Sequence, residues 1–141
     1  MLVVAAVAGG HGSKKGHHSL QLVGTEASFT FVDVEPKQAG ENDPPTPGDS
    51  FLLSETLTHE GEGFGTLYVQ CTFVTPEVNQ CLGTFDLPNG QITVQGVLRD
   101  TPDFTVAVTG GTGAYFGATG TIDGHEPGEE AAPSMYTIHL R

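Results

Sequence analysis

The sequence predicts an all-β domain: a meander of eight short antiparallel strands. Three observations carry that reading. Apolar and polar residues alternate in many short runs, no stretch keeps a helical period beyond a turn or two, and 20 glycines and 9 prolines divide the 141 residues into closely spaced turns. That length suits one domain with its own core. The strands are predicted at 20–34, 51–59, 64–74, 79–87, 91–98, 103–109, 117–123 and 134–140.

Ahead of the first strand, Met1–Ala8 is apolar and is followed by the loose string GGHGSKKGHHS. So short an apolar run cannot span a bilayer, which needs about twenty residues. It resembles the end of a secretory signal, with Ala6-Val7-Ala8 as the cleavage site, and export to the cell envelope or beyond is expected, with the cytoplasm as the alternative. Residues 1–19 are therefore read as a signal remnant plus a flexible His/Gly linker, and 20–141 as a single domain. Cleavage after Ala8 would free Gly9-Gly10-His11, a nitrogen set suited to Cu(II) or Ni(II). An ordinary polar linker is the simpler reading.

The first strand ends in an acidic Pro- and Gly-rich stretch, 35–50, that reads as a long exposed loop or mouth flap. Further along, the hairpins can be tested against one another. Asn89-Gly90 is a two-residue turn signal. Pairing Pro88 with Gln91 sets Leu87 opposite Ile92, Phe85 opposite Val94, Gly83 opposite Gly96 and Cys81 opposite Leu98. A turn at Pro76 sets Cys71 opposite Cys81, Val69 opposite Gly83 and Leu67 opposite Phe85; a turn at Thr101 continues the pattern with Leu98 opposite Phe104 and Gly96 opposite Val106. One face then collects Leu67, Val69, Cys71, Phe73, Phe85, Ile92, Val94, Phe104, Val106 and Val108. The other carries Tyr68, Gln70, Thr72, Thr84, Asp86, Thr93, Gln95 and Thr105.

No amphipathic helix is available to cover the apolar face, so the sheet must close into a barrel or pack against a second sheet. Adjacent glycines at 83 and 96 would leave room inside or allow a sharp bend. The facing cysteines favour a cross-strand Cys71–Cys81 disulfide, with a buried free thiol as the alternative. Two cysteines without histidine partners argue against zinc, and no metal or other cofactor is expected in the domain.

Two motifs mislead. Thr109–Gly117 (TGGTGAYFG) looks like a dinucleotide loop, but Gly117 and Gly120 cut short the helix that such a loop requires, so it reads as a tight turn. The run 123–130 (DGHEPGEE) lacks calcium-ligand spacing and reads as a solvated loop. Charge also excludes partners. All seventeen acids lie beyond Leu20, against three bases there (Lys37, Arg99, Arg141). Such a surface repels phosphate backbones and anionic membranes.

Several of these residues resemble the allene oxide cyclase and dirigent protein superfamily. Gln91–Gly96 (QITVQG) followed by Phe104–Gly117 (FTVAVTGGTGAYFG) is similar to the family's glycine signature. Phe29–Asp33 (FTFVD) resembles the dirigent first strand, with Val32 where histidine is usual, and Gly48-Asp49 through Leu57 resembles a cyclase stretch. The resemblance covers about 25–140. It implies an eight-stranded antiparallel up-and-down barrel, often trimeric, with a hydrophobic lumen. By the same resemblance Glu55 falls where cyclases place a pocket asparagine, Cys71 where they place a cysteine, and Asp33 where dirigent proteins place an aspartate. The cyclase glutamate on the first strand finds no counterpart.

The expected ligand is a lipophilic small molecule in the lumen, lined by Phe31, Leu53, Val69, Cys71, Phe85, Val94, Phe104, Val106 and Tyr115. Glu55 shares strand parity with Phe51, Leu53 and Leu57, and Asp33 with Phe29 and Phe31. A carboxyl among such neighbours has a raised pKa and can serve as a general acid near neutrality, so these two are the candidate catalytic residues. Tyr115, Tyr136 and His139 are possible hydrogen-bond donors at the mouth. The expected activity is cyclisation or isomerisation; the alternative is a non-catalytic dirigent-like protein that steers a reaction begun by a partner oxidase, and a third reading is a structural domain with a filled lumen.

Overall fold

A computed structural model describes residues 18–129 and 131–141. The signal-like segment and the Gly9-Gly10-His11 motif lie outside the described residues. The chain forms eight antiparallel strands: β1 (His18–Val32), β2 (Ser50–His59), β3 (Glu62–Thr75), β4 (Val78–Leu87), β5 (Gly90–Arg99), β6 (Asp103–Gly111), β7 (Gly120–His125) and β8 (Ser134–Leu140). Each strand pairs with its neighbours in sequence, and β8 returns to β1, closing the barrel. Closure settles the choice left open above: the apolar face is covered by curling around on itself, which also leaves no sheet edge exposed.

The predicted strands are all present with several bounds moved, and β1 ends at Val32, short of the expected 34. β1 begins at His18, inside the expected linker, because His18 and Ser19 pair with Leu140 and His139. β7 begins at Gly120 rather than 117, because Gly113–Tyr115 form one turn of 3-10 helix and the Ala118 N–H donates to the Tyr115 carbonyl. Gly124 and His125, expected in a loop, are β7 residues.

The β3–β4 register is as expected, with Leu67 opposite Phe85 and Cys71 opposite Cys81. The β4–β5 hairpin is shifted by two residues: Leu87 faces Gly90, Phe85 faces Ile92, Gly83 faces Val94 and Cys81 faces Gly96. Gly90 is thus the first strand residue and not part of the turn. The cause is the 3-10 turn, which docks on this hairpin: the Thr112 N–H donates to the Gln91 carbonyl at 2.9 Å and the Ala114 N–H to the Asn89 carbonyl at 2.9 Å. Gly90 has φ of 151°, and a Cβ there would overlap the Thr112 carbonyl, so only glycine allows the contact. A shift of two keeps every side chain on its face, since the strand period is two. It does separate Gly83 from Gly96.

A bulge in β1 decides which side chains enter the barrel. Glu26 faces Glu55 and Ser28 faces Ser54, leaving Ala27 as the extra residue. Leu20, Leu22 and Gly24 point inward before the bulge, and Phe29 and Phe31 align with the inward Leu53 and Phe51 after it. Without the extra residue the two aromatic rings would fall on the outer face.

One end of the barrel is solid. Leu20, Leu22, Leu57, Ile92, Ile138 and Leu140 are buried there, with Tyr115 of the 3-10 turn beneath them. Each fully buried aliphatic side chain contributes about 1.5–3 kcal/mol. At the other end lie the long 33–49 loop and the 126–133 loop. The first is pinned by Asp49, whose carboxylate accepts from the Val34 N–H at 2.8 Å and the Thr46 N–H at 2.9 Å. Its carbonyl also accepts from Phe73 N–H at 2.8 Å. These donors, the Thr46 N–H foremost, hold the Asp49 carboxyl below its ordinary pKa.

Candidate functional site

Between the solid end and the mouth the barrel encloses a cavity of about 550 Å³. Its walls come from alternate residues of β2 to β6: Leu53, Leu67, Val69, Phe85, Val94 and Val106 among them, with Phe104 towards the mouth and Ile122 as floor. The third reading, a filled lumen, is therefore not what the chain adopts. Gly83 and Gly96 both line the space, although valines partly occupy the room they leave: a Cβ at Gly96 would lie 2.7 Å from a Val106 methyl.

Glu55 is the buried carboxyl of this wall, 4% exposed. The Tyr136 hydroxyl donates to its Oε1 at 2.5 Å, and the Ser134 hydroxyl to its Oε2 at 3.2 Å. Room for the carboxyl comes from β1, where a Cβ at Gly24 would overlap Oε1. Burial drives the Glu55 pKa above its ordinary 4.5; the two hydroxyl bonds oppose the rise and the charge of Glu26 adds to it. Burial and the adjacent Glu55 push the Tyr136 phenol upward as well. A short hydrogen bond therefore joins a reluctant carboxylate to a phenol that keeps its proton, an arrangement able to hold a proton and pass it to a bound molecule.

Three further acids, Glu26, Glu126 and Glu129, belong to the mouth. Glu26, opposite Glu55, lines the cavity from β1. Glu126, at the start of the 126–133 loop, lines it from above, and its carboxyl is raised by desolvation and by the charge of Glu55.

The expected site residues divide. Leu53, Val69, Cys71, Phe85, Val94, Phe104 and Val106 line the cavity together with Glu55, and Cys71 is bonded to Cys81 in a disulfide that forms part of the wall. Phe31 points the same way as Phe29, yet Phe29 and Phe51, stacked with ring centroids 5.7 Å apart, are the mouth aromatics in the lining. Tyr115 is fully buried at the solid end, away from the lining, and burial lifts its phenol to about 12.

Asp33 also lies outside the lining. It opens the 33–49 loop, where its carboxylate accepts from the Gln38 N–H at 3.3 Å and its carbonyl from the Lys37 ammonium. Its parity with Phe29 and Phe31 did not carry inward because the strand ends at Val32. His139 faces outward and bonds Asp123 at 3.1 Å. The Asp123 carboxyl is held low, chiefly by the Thr105 hydroxyl at 2.6 Å.

Sequence reasoning passed over Ser134, Glu26 and Glu126, and gave Tyr136 only a general role. Ser134, Tyr136, Ile138 and Leu140 alternate, a signal that marks one inward face. Glu26 shares the parity of Leu20, Leu22 and Gly24, and the bulge after it reconciles that face with Phe29 and Phe31.

The chain matches no protein-family model, and none of the curated proteins matches it in sequence. Solved structures do share its fold. It is similar to a pyocyanin demethylase with a TM-score of 0.74 and 22% identity, over 87% of this chain and 99% of that one. It is similar to the pterocarpan synthase dirigent protein GePTS1 with a TM-score of 0.68 and 14% identity, over 89% and 83% of the two chains. With AbnU, an exo-specific intermolecular Diels-Alderase, the TM-score is 0.67 and the identity 15%, over 89% and 98%. The chain thus has the eight-stranded barrel fold of dirigent proteins and of cyclase-like Diels-Alderases, the fold that the glycine signature implied.

Proposed function

We propose that this barrel binds a lipophilic small molecule and promotes its cyclisation or isomerisation, with Glu55 as the acid–base residue and Tyr136 as its proton-holding partner. One observation carries the reading: a buried carboxyl of raised pKa, bonded by Tyr136 and Ser134, on the wall of a largely apolar 550 Å³ cavity. The walls restrict a flexible substrate to a folded conformer, which lowers the entropic part of the barrier. Protonated Glu55 then donates to a developing oxyanion, and its carboxylate recovers a proton from carbon or oxygen as the product forms. The reaction is redox-neutral, and the protein ends as it began.

Asp33 is assigned to the loop and not to the chemistry, because its carboxylate is engaged with the loop backbone. The cysteine bridge supports an oxidising compartment, hence export. Leu52, Tyr68 and Leu82, exposed together on the outer face of β2 to β4, support a homo-oligomer, which sedimentation mass would test.

Turnover of candidate polyene, quinone-methide and phenolic substrates is the test. Glu55→Gln should lower kcat by about 10²-fold or more while ligand binding persists, and Tyr136→Phe should lower it less. Unchanged rates in both would remove the acid–base assignment. The second reading, a stereo-directing protein without catalysis of its own, draws on the dirigent likeness. It requires that product form only when an oxidase is added, with the barrel altering stereochemistry and not rate.

A further inference from the structure

The charge pattern inside the cavity bears on the class of ligand, and the inference rests on the cavity being the binding site. Four carboxyl side chains line it: Glu26 from β1, Glu55 from β2, and Glu126 and Glu129 from the loop over the mouth. Among the described residues of the lining there is no lysine, arginine or histidine. The hydroxyls of Tyr136 and Ser134 are engaged with Glu55. The ammonium of Lys37 is engaged with the Asp33 carbonyl in the outer loop. An anionic ligand entering here would meet four acids and no cationic side chain. Glu55 is buried and the other three are exposed around the mouth, so an anion meets their combined field on entry and a buried carboxyl at the wall.

The apolar part of the lining favours the opposite sign. Phe29 and Phe51 stack at the mouth of the cavity that Glu26 also lines. Phe85 packs edge-on, centroids 5.5 Å apart, against Tyr136, whose hydroxyl donates to Glu55. Aromatic faces beside carboxylates are the environment in which organic cations are held, by ring quadrupole and charge together. The charge of Glu55 adds to the cost of ionising Glu126, a cost that a positive charge in the cavity would lower.

We propose that the ligand of this cavity is a lipophilic compound bearing a positively charged nitrogen, a protonated amine or cationic heteroaromatic ring, and that carboxylate ligands such as fatty acids are excluded.

The test uses three dansyl-alkyl probes of equal chain length ending in a primary amine, a methyl amide and a carboxylate, titrated by fluorescence into the full chain with its disulfide intact. The amine should bind tenfold or more tighter than the carboxylate, with the amide between them; tenfold corresponds to about 1.4 kcal/mol. Because the effect is electrostatic, about 0.5 M NaCl should narrow the gap. Glu126→Gln and, separately, Glu26→Gln should weaken the amine by about threefold or more and leave the amide unchanged. Both lie in exposed positions, so the variants should fold. Equal binding of all three probes, or tightest binding of the carboxylate, overturns the charge preference while leaving the cavity as a binding site. Failure of all three to bind overturns the cavity reading and the charge preference with it.

Discussion

The closed end of the barrel and its mouth are built from the same eight strands, yet one is packed solid and the other holds a cavity. The difference lies in which residues occupy the inward positions. Towards the closed end these are Leu20, Leu22, Leu57, Ile92, Ile138 and Leu140, with the Tyr115 turn filling the remaining space. Towards the mouth, glycines at 83 and 96, a serine at 134 and the carboxyls of Glu26 and Glu55 take equivalent places. Small residues leave volume, and the acids cannot be packed over without neutralisation. Stability is thereby concentrated at one end, which leaves the other to carry buried polar groups that cost stability.

Two truncations measure that division directly. Ile138→Ala at the closed end should cost about 3–5 kcal/mol in denaturant unfolding, the transfer loss plus a cavity. Leu53→Ala on the cavity wall, already bordering open space, should cost under about 1.5 kcal/mol and mainly weaken ligand binding. Equal costs would mean that the mouth half is packed as tightly as the other. Next in size is the disulfide, which braces the cavity wall between β3 and β4. Joint Cys71→Ala and Cys81→Ala replacement should lose about 2–4 kcal/mol, read as a lower midpoint. A loss near zero would place the wall's stability in the strand pairing alone.

A smaller effect follows from the raised pKa of Glu55. Well below the ordinary carboxylate range Glu55 is protonated in both the folded and unfolded chain and costs nothing. As pH climbs from the unfolded value through the higher folded one, the unfolded chain gives up its proton first and stability falls; above that window the loss is complete. Glu55→Gln removes this loss, so its Tm should exceed that of the parent near pH 7 and converge with it near about pH 3.5. A variant less stable at neutral pH would mean that the Tyr136 and Ser134 bonds outweigh burial. The smallest change concerns the mouth loop. Asp49→Ala removes the acceptor for the Val34 and Thr46 N–H groups, so trypsin should cut faster after Lys37, the lysine within that loop, while the barrel's Tm moves little.

Much of this was legible beforehand for a simple reason: strand side chains alternate, and a register error of two residues does not change their faces. The β4–β5 hairpin shows it, since its pairing differs from expectation while Phe85, Ile92 and Val94 still face inward. Leu53, Val69, Phe85, Val94 and Val106 could be named as lining residues on that basis. Glu55 was legible because it sits mid-strand among apolar residues of the same parity. Asp33 was not, because parity loses its meaning where a strand ends.

By itself, then, the sequence determined the alternation, the turns, the apolar face and the opposed cysteines, all of which depend on neighbours within a hairpin. Only the tertiary structure decided the rest. Ala27 bulges out and turns Phe29 inward, and β8 closes on β1, bringing Tyr136 to Glu55 across 81 residues of chain. Local periodicity cannot encode such a meeting; it arises from closing the sheet into a barrel, which places Gly24, Glu55 and Tyr136 around one point on its wall.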